Sequence, residues 1–188
     1  MAEYSHKSDL PVEAARKGCD QACDALIRRF QLPLFAYVSE LIGNQSIALD
    51  LVQDTLVKAV KNINGLRNDQ RIGSWLFGIA HQCCIDHWRK SGRQSKVFEP
   101  IIESTSAEAM DLSNGPCESL IQNEIHQEIL DHLNNLSTEH RTVVLLHYLE
   151  DFSLAEISNI TGTGIGTVKS RLHYAKKAMN SKLTHLKI

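Results

Sequence analysis

The strongest structural pattern in the chain lies between Ser153 and Lys177, where the sequence reads SLAEISNITGTGIGTVKSRLHYAKK. Ser153 followed three residues later by Glu156 forms a capping box, which predicts that a helix starts there. Apolar residues then recur at helical spacing until Gly162 and Gly164 interrupt them. A second helix is predicted after these glycines, so the stretch indicates a helix-turn-helix.

The predicted second helix has an apolar stripe on one side and a basic, hydrogen-bonding front on the other. From Ile157 to the end of the sequence there are six Lys or Arg and no Asp or Glu. Such a helix suits the major groove of duplex DNA. The alternative is a pair of surface helices with a solvated cationic face, and Arg171 has a competing role as an ion-pair partner of Glu156. The stripe contains Val168, Leu172, Ala175, Met179 and Leu183. The candidate DNA contacts are Thr163 (also the expected N-cap), Thr167, Lys169, Ser170, Arg171, His173 and Lys177.

The composition is that of a globular protein. Of the 188 residues, 43% are hydrophobic and 22% are charged, and no apolar run approaches the length of a membrane span. The first residues lack the apolar core of a signal peptide, so we expect a cytoplasmic protein. The net charge is only −2, but nine Asp or Glu and no Lys or Arg lie between Val97 and His140, which separates an acidic middle from a basic end.

Helical periodicity runs through the N-terminal half, and no convincing alternating strand pattern is present. A first helix is predicted over 12–30 and a second over 34–42. Ser46 is the expected cap of a third helix, and a fourth is predicted over 72–88. The N-terminal part should therefore form a small helical domain, residues 1–96.

The middle of the chain differs, because Ser, Thr, Glu, Asn, Gly and Pro dominate residues 97–117 and the periodicity is lost. This composition predicts a flexible acidic linker. Periodicity resumes near Glu118, and Ser137 is the expected cap of a helix ahead of the helix-turn-helix. The predicted fold class is therefore all-α, with two small helical domains, 1–96 and 118–188, joined by this linker and with the helix-turn-helix in the second.

Five cysteines are present, an odd number without CxxC spacing, and in a cytosolic chain they should be reduced. Cys19 and Cys23 are expected on the apolar stripe of the first helix, where a thiol behaves as a small hydrophobe. His81, Cys84 and His87 partly share a helix face. Zinc requires four tetrahedral ligands, however, and no second cluster lies nearby in sequence. We therefore expect no metal and no other cofactor.

Aromatic and basic residues interleave in the loop that begins near Leu66 and along the helix after it. Single-stranded nucleic acid is bound by such sets, because bases stack on rings while cations pair with phosphates. Trp75 also lies on an apolar stripe, so a core position is the alternative for it. The pattern predicts a second nucleic-acid surface, formed by Leu66, Arg67, Trp75, His81, His87, Trp88, Arg89, Lys90 and Arg93.

Three segments resemble bacterial sigma factors, the promoter-specificity subunits of RNA polymerase. Their polymerase-binding helix is similar to DLVQDTLVKAV, from Asp50, and the helix that handles the −10 promoter element is similar to SWLFGIAHQCCIDHWRK, from Ser74. The domain that binds the −35 element resembles the segment from Leu136, which reads LSTEHRTVVLLHYLEDFSLAEISNITGTGIGTVKSRLHYAKKAM. With only these two domains, the chain resembles the small extracytoplasmic-function group.

The resemblance implies a factor that binds core RNA polymerase at its clamp and flap regions, recognises −35 and −10 elements, and helps to open DNA. It implies no catalytic residues and no membrane insertion, and it adds promoter DNA and an anti-sigma protein to the expected partners. The loop from Leu66 to Gly73 would capture a base flipped out of the non-template strand. The acidic linker would thread into the polymerase cleft and RNA exit path, with a plain spacer as the alternative. The implied polymerase contacts are Asp50, Gln53 and Asp54. The basic front of the helix-turn-helix would bind the −35 element. The implied −10 contacts are Leu66, Arg67, Asn68, Asp69, His81, Gln82, Arg89 and Lys90.

The chain departs from the family at His81 and Gln82, because members commonly have Arg-Asn at these two positions. Gln donates and accepts through its amide as Asn does but reaches further, so the −10 preference is open. Two other functional classes are alternatives. A response regulator would need a phosphoacceptor domain of alternating strands and helices, and a metal-dependent protein would use His81, Cys84 and His87.

Overall fold

The computed structural model describes residues 10–92, 133 and 135–183, with side chains described as far as 179. Every regular element in these ranges is helical, which confirms the all-α fold class for the described part of the chain. The helices are α1 Val12–Arg16, α2 Asp20–Ile42, α3 Gln45–Asn62, α4 Ile72–Lys90, α5 Thr138–Val144, α6 Leu154–Thr161 and α7 Ile165–Leu183. Shorter turns are the two 3-10 segments Ile63–Gly65 and Asp69–Arg71 and the π-helical Leu145–Leu149. The linker predicted over 97–117 and the resumption near Glu118 lie outside the described residues.

The first break between helices lies at Gly18, so the predicted boundary near residue 32 is wrong. Gly18 has a φ of +83°, a left-handed conformation that suits glycine and ends α1. α2 then continues through Pro33 to Ile42. Pro33 cannot donate a helical hydrogen bond, but Phe30 and Leu34 are both buried beside it, so core packing continues across the proline and offsets that loss.

Two further local predictions in this half are wrong: the placement of Cys19 on an apolar stripe and the cap of α3. Cys19 is exposed and precedes α2 in an extended conformation. The helix is interrupted at Gly18, so Cys19 does not lie on the apolar stripe of a helix. Cys23 is half-buried and packs against the core as expected. The cap of α3 is Asn44, whose side chain accepts a hydrogen bond from the backbone N–H of Ile47, so the expected cap Ser46 lies inside the helix.

The C-terminal helices start where their capping residues predict. The Ser137 hydroxyl accepts from the backbone N–H of His140 at the start of α5. Ser153 and Glu156 form the reciprocal capping box of α6, and Gly162 ends that helix with a φ of +65°. The helix-turn-helix is therefore confirmed as α6 and α7, and the described part of the α7 stripe is buried at Val168, Leu172 and Ala175 and half-buried at Met179.

The N-terminal unit (α1–α4) and the C-terminal unit (α5–α7) pack against each other along α4. The ring of Phe152, just ahead of α6, lies 5.1 Å from the ring of Phe77 in α4, and Phe77 in turn lies 5.3 Å from Tyr37 in α2. Arg141 in α5 donates from Nη1 to the backbone oxygen of Glu40 at 3.1 Å. The helix-turn-helix therefore covers one side of α4, where sequence periodicity alone predicted only two tethered domains.

Candidate nucleic-acid interface

The predicted −35 contacts lie mainly on the exposed front of α7. Since Val168 and Leu172 face the core of the C-terminal unit, residues offset from them by one or two positions face outward. The front is cationic and rich in hydrogen-bonding groups, as a helix in the major groove requires. The exposed members are Thr167, Lys169, Ser170, His173 and Lys177, and beside them lie the exposed Ile165 and Tyr174.

Arg171 is the half-buried member of this front. Its Nη2 lies 3.2 Å from Oε2 of Glu139 in α5. The sequence suggested Glu156, on the neighbouring helix α6, as its ion-pair partner; Glu139 lies on α5, and its distance from Arg171 along the chain gave no sign of the pair. The pair is partly exposed, at 22% and 44% for the two side chains. Such a pair contributes little to stability, so exchanging Glu139 for a DNA phosphate costs little.

Thr163 lies two residues ahead of α7, so Gly164 precedes the helix directly and the expected N-cap is wrong by one position. The hydroxyl of Thr163 is 2.9 Å from that of Thr161, and its backbone oxygen accepts from the Ser158 hydroxyl at 2.6 Å. These bonds tie the turn to α6. Thr163 therefore shapes the approach to α7, with its half-buried side chain beside the front.

The loop between α3 and α4 is held in shape by α1 and by its own hydrogen bonds. Arg16 donates from Nη2 to the backbone oxygen of Leu66 at 3.0 Å and to the carboxylate of Asp69 at 2.6 Å. Asn68 accepts from the backbone N–H of Gln70 at 3.0 Å. The side chain of Leu66 is buried, at 6% exposure, so it anchors the loop. The loop and the start of α4 expose Arg67, Asn68 and Arg71.

Two of the predicted −10 contacts on α4 share one carboxylate. Gln82 donates from Nε2 to Oδ1 of Asp86 at 2.9 Å, and Arg89 donates from Nη1 to the same oxygen at 3.1 Å. Gln82 and Arg89 are exposed, as is Lys90. Sequence reasoning missed Asp86, although it lies four residues after Gln82 and three before Arg89, which is the spacing at which helical side chains meet.

His81 faces inward from α4. It is only 9% exposed, and its Nδ1 lies 3.0 Å from the hydroxyl of Tyr37. Burial, and then the positive charge of Arg171, lower the pKa of His81 to about 4. The imidazole is therefore neutral near pH 7 and does not supply a cation for a phosphate in this arrangement.

A cleft of about 750 Å³ separates the loop and α4 from the helix-turn-helix. Its far wall is the end of α6 and the turn, residues Asn159, Ile160, Thr161 and Gly162. Among the described residues, its lining includes three cations and no acidic side chain. Trp75 lines the cleft and also packs against the core, so it takes part in both the nucleic-acid surface and the core, the two positions considered for it. The near wall brings together Lys58, Leu66, Arg67, Asn68, Arg71, His81 and Gln82.

The predicted polymerase contacts lie together on the outer face of α3. Asp50, Gln53 and Asp54 are all exposed, because Leu51, Val52 and Thr55 take the buried positions of the helix. Sequence reasoning missed two apolar neighbours on this face, which leave about half their surface exposed. They are Leu49 at 51% and Val57 at 52% exposure.

Within residues 10–92, 133 and 135–183, no group of three or more His, Cys, Asp or Glu is placed to hold a metal ion. Two of the three α4 residues of the metal alternative, His81 and Cys84, are buried, whereas His87 is half-buried. Burial raises the pKa of the Cys84 thiol to about 12. A thiol in that state is a poor metal ligand. Among the same residues, every helix falls short of the length and apolarity that a membrane span requires.

Two family models match the chain: Sigma-70 region 2 over residues 26–94 and Sigma-70 region 4 over residues 126–179. The RNA polymerase sigma factor SigV of Bacillus subtilis is 33% identical over 150 residues, which cover 80% of this chain and 81% of SigV. The ECF RNA polymerase sigma factor SigL of Mycobacterium tuberculosis is 33% identical over 159 residues, covering 81% and 84%. The chain belongs to the extracytoplasmic-function group of the sigma-70 family.

Solved structures of sigma factors share this fold. RpoE of Bartonella quintana, solved in complex with the anti-sigma factor NepR, has a TM-score of 0.68 at 25% identity and covers 86% of this chain and 96% of its own. CnrH, solved in complex with the cytosolic domain of CnrY, has a TM-score of 0.66 at 19% identity and covers 94% and 96%. The family shows that this sigma factor is a promoter-recognising subunit of RNA polymerase that acts in transcription initiation. This finding favours neither the response regulator nor the metal-dependent protein.

Proposed function

We propose that this sigma factor divides promoter recognition between its two units, with the front of α7 on the −35 duplex and the α4 surface with its loop on the −10 element. The observation that carries the proposal is the placement of two sets of exposed polar and cationic side chains on different helical units. We also propose domains 1–96 and 118–188 with the linker 97–117. The family models support these boundaries, because they leave residues 95–125 unmatched.

On the −35 side, α7 enters the major groove and its first turns reach base edges, while the later lysines meet phosphates. The exposed Lys169 and Ser170 lie early on the helix, and Arg171 exchanges Glu139 for DNA. Ile165 is exposed at the start of α7 and suits contact with a thymine methyl group. The proposed contacts are Thr163, Thr167, Lys169, Ser170, Arg171, His173 and Lys177.

On the −10 side, the near wall of the cleft offers cations for phosphates, amides for base edges, and the Trp75 ring beside them. Leu66 and His81 act from beneath this surface, since both side chains are buried. Asp69 holds the loop through Arg16. Capture of a flipped base exchanges stacking in the duplex for contacts with the loop and the α4 surface and so stabilises open DNA. The proposed direct contacts are Arg67, Asn68, Gln82, Arg89 and Lys90.

The outer face of α3 is the proposed polymerase-binding surface, where Asp50, Gln53 and Asp54 supply charge and hydrogen bonds. Exposed Leu49 and Val57 on the same face supply apolar area, which binding would bury. The proposal assigns binding and no bond-making step to this chain. It places the protein in the cytoplasm, where bacterial polymerase and promoter DNA are found.

The two units must separate when the factor engages a promoter. The −35 and −10 elements are about 25 base pairs apart, or about 85 Å at 3.4 Å per base pair. In the structure the helix-turn-helix lies along α4, a helix only about 28 Å long at 1.5 Å per residue. The packed arrangement therefore corresponds to the free factor. RpoE is bound by an anti-sigma factor, and we propose that a similar protein binds this chain and holds its units together.

The proposed division is tested with promoters altered in one element at a time. Lys169→Ala should weaken binding to a −35 duplex, whereas Gln82→Ala should weaken use of the −10 element, with core polymerase binding unchanged in both. Protein-dependent transcripts from promoters with intact and scrambled elements are the measurement. If either variant lost sensitivity to the other element instead, the assignment of the two units would be wrong.

A further inference from the structure

We propose that Asp86 is a positioning residue that orients the amide of Gln82 and thereby determines a base preference within the −10 element. The inference rests on the proposed −10 role of Gln82 and deepens it. Gln82 stands where the family commonly has Asn, so its preference cannot be taken from the family. The hydrogen bond from Gln82 to Asp86 supplies the missing information.

An ionised carboxylate accepts hydrogen bonds and donates none. The Gln82 atom that lies 2.9 Å from Asp86 Oδ1 is therefore its nitrogen, Nε2, and the amide oxygen Oε1 lies on the other side of the planar group. A flipped amide would place two acceptor oxygens together, so the carboxylate both attracts one orientation and repels the other. The chemistry of the pair thus settles an orientation that the shape of the side chain alone would leave ambiguous.

Arg89 holds the carboxylate in place for this role. Its Nη1 lies 3.1 Å from the same Oδ1, so Asp86 is bound from both sides along α4. The Asp86 side chain is 36% exposed, while Gln82 is exposed and lines the cleft. The oriented amide is therefore accessible to DNA, although its position is set by a residue that need not contact DNA itself.

Bonded to Asp86 through one N–H, the amide presents its oxygen and its second N–H outward, and the oxygen favours a base with a hydrogen-bond donor. The contact is assigned to the major-groove edge of the base, where adenine and cytosine carry an exocyclic amino donor and guanine and thymine carry a carbonyl acceptor. The base that meets Gln82 is therefore adenine or cytosine. The discrimination should be about fivefold, the effect of one neutral hydrogen bond.

The experiment uses the full-length factor with core RNA polymerase on a promoter library randomised across the −10 element, and the transcripts are sequenced. The wild-type factor should enrich adenine or cytosine about fivefold at one position, and Gln82→Ala should remove that preference. Asp86→Asn should remove it as well, because an amide at position 86 accepts or donates and lets Gln82 adopt both orientations. Asp86→Glu keeps a carboxylate and should restore a measurable part of the preference.

Asp24→Asn is the matched control, because Asp24 also pairs with an arginine along one helix, at 2.8 Å from Arg28, but lies away from the cleft. It should leave every preference unchanged. If Gln82→Ala removes the preference and Asp86→Asn retains it, the positioning role is wrong while the −10 role of Gln82 stands. If Gln82→Ala leaves all −10 preferences unchanged, both are wrong. A guanine or thymine preference that depends on Gln82 would also overturn the proposed orientation.

Discussion

Lowering the pH from 7.5 to 5.0 should destabilise the folded protein by about 2 kcal/mol through His81 alone. Burial and the charge of Arg171 lower the pKa of this imidazole from 6.5 to about 4 in the folded chain. The unfolded chain takes up the proton as the pH falls below 6.5, whereas the folded chain stays neutral at this position until about pH 4. Because the unfolded state binds more protons in this window, stability is lost as the pH falls through it.

At pH 5.0 the unfolded imidazole is almost fully protonated and the folded one almost fully neutral. The difference amounts to about 1.5 pKa units of free energy, which is about 2 kcal/mol at 1.36 kcal/mol per unit. The expected loss is large compared with a typical total stability of about 5–15 kcal/mol, so it should be visible as a shift in the denaturation midpoint.

The assay is urea denaturation at both pH values for the wild-type protein and for His81→Gln. The variant amide can still bond the Tyr37 hydroxyl, which lies 3.0 Å from His81 Nδ1. Carboxylates titrate in both proteins, so the difference between them isolates His81. The wild type should lose about 2 kcal/mol more than the variant on acidification. Equal losses in the two proteins would refute the reasoning.

Three further predictions concern the other surfaces. Arg141→Ala should lower the free energy of unfolding by about 2–4 kcal/mol, because the backbone oxygens of Leu133, Leu136 and Glu40 lose a charged donor. Urea denaturation measures this loss, and an unchanged denaturation midpoint would show that these hydrogen bonds do not stabilise the fold. Lys169→Ala should reduce the slope of log affinity for −35 duplex against log salt by about 1 and leave core polymerase binding intact; losing both kinds of binding together would show that the unit is misassigned. Asp54→Lys should weaken core polymerase binding in a titration without changing thermal stability, because its carboxylate is exposed; unaltered affinity would move the polymerase contact away from α3.

Local sequence rules predict much of the C-terminal unit. Ser153, Glu156 and Gly162 act through bonds to residues within the same helix end, so their spacing alone is enough to predict α6 and the turn. The apolar stripe of α7 follows in the same way from helical periodicity. For such features the sequence pattern and the structural cause are the same.

Packing between distant residues could not be predicted in this way. Arg141 bonds the backbone of Glu40 from 101 residues away, and Phe152 packs against Phe77 without any spacing that marks the pair. The burial of His81 and the charge beside it depend on these contacts, so a residue expected on a surface lies inside. The helix boundary predicted near Pro33 is wrong for a similar reason, because core packing on both sides of the proline offsets the hydrogen bond that it cannot make.

Asp86 is neither a feature that local sequence rules predict nor a contact between residues far apart in the chain. Its spacing from Gln82 and Arg89 was available in the sequence, but many acidic residues on helices have basic or amide neighbours at such distances. The observed bonds distinguish this one, because a single carboxylate oxygen engages two of the predicted −10 residues. The specificity hypothesis therefore depends on geometry as well as on the pattern.

The most direct test of bipartite promoter recognition is transcription by core RNA polymerase and the purified full-length protein on a library of randomised promoters, with the 5′ ends of the transcripts sequenced. We expect protein-dependent start sites preceded by two enriched elements, near −35 and −10. Lys169→Ala should reduce enrichment of the element near −35, and Gln82→Ala should reduce enrichment of the element near −10. The absence of any sequence-specific initiation that depends on the protein would contradict the assignment, as would enrichment of a single element.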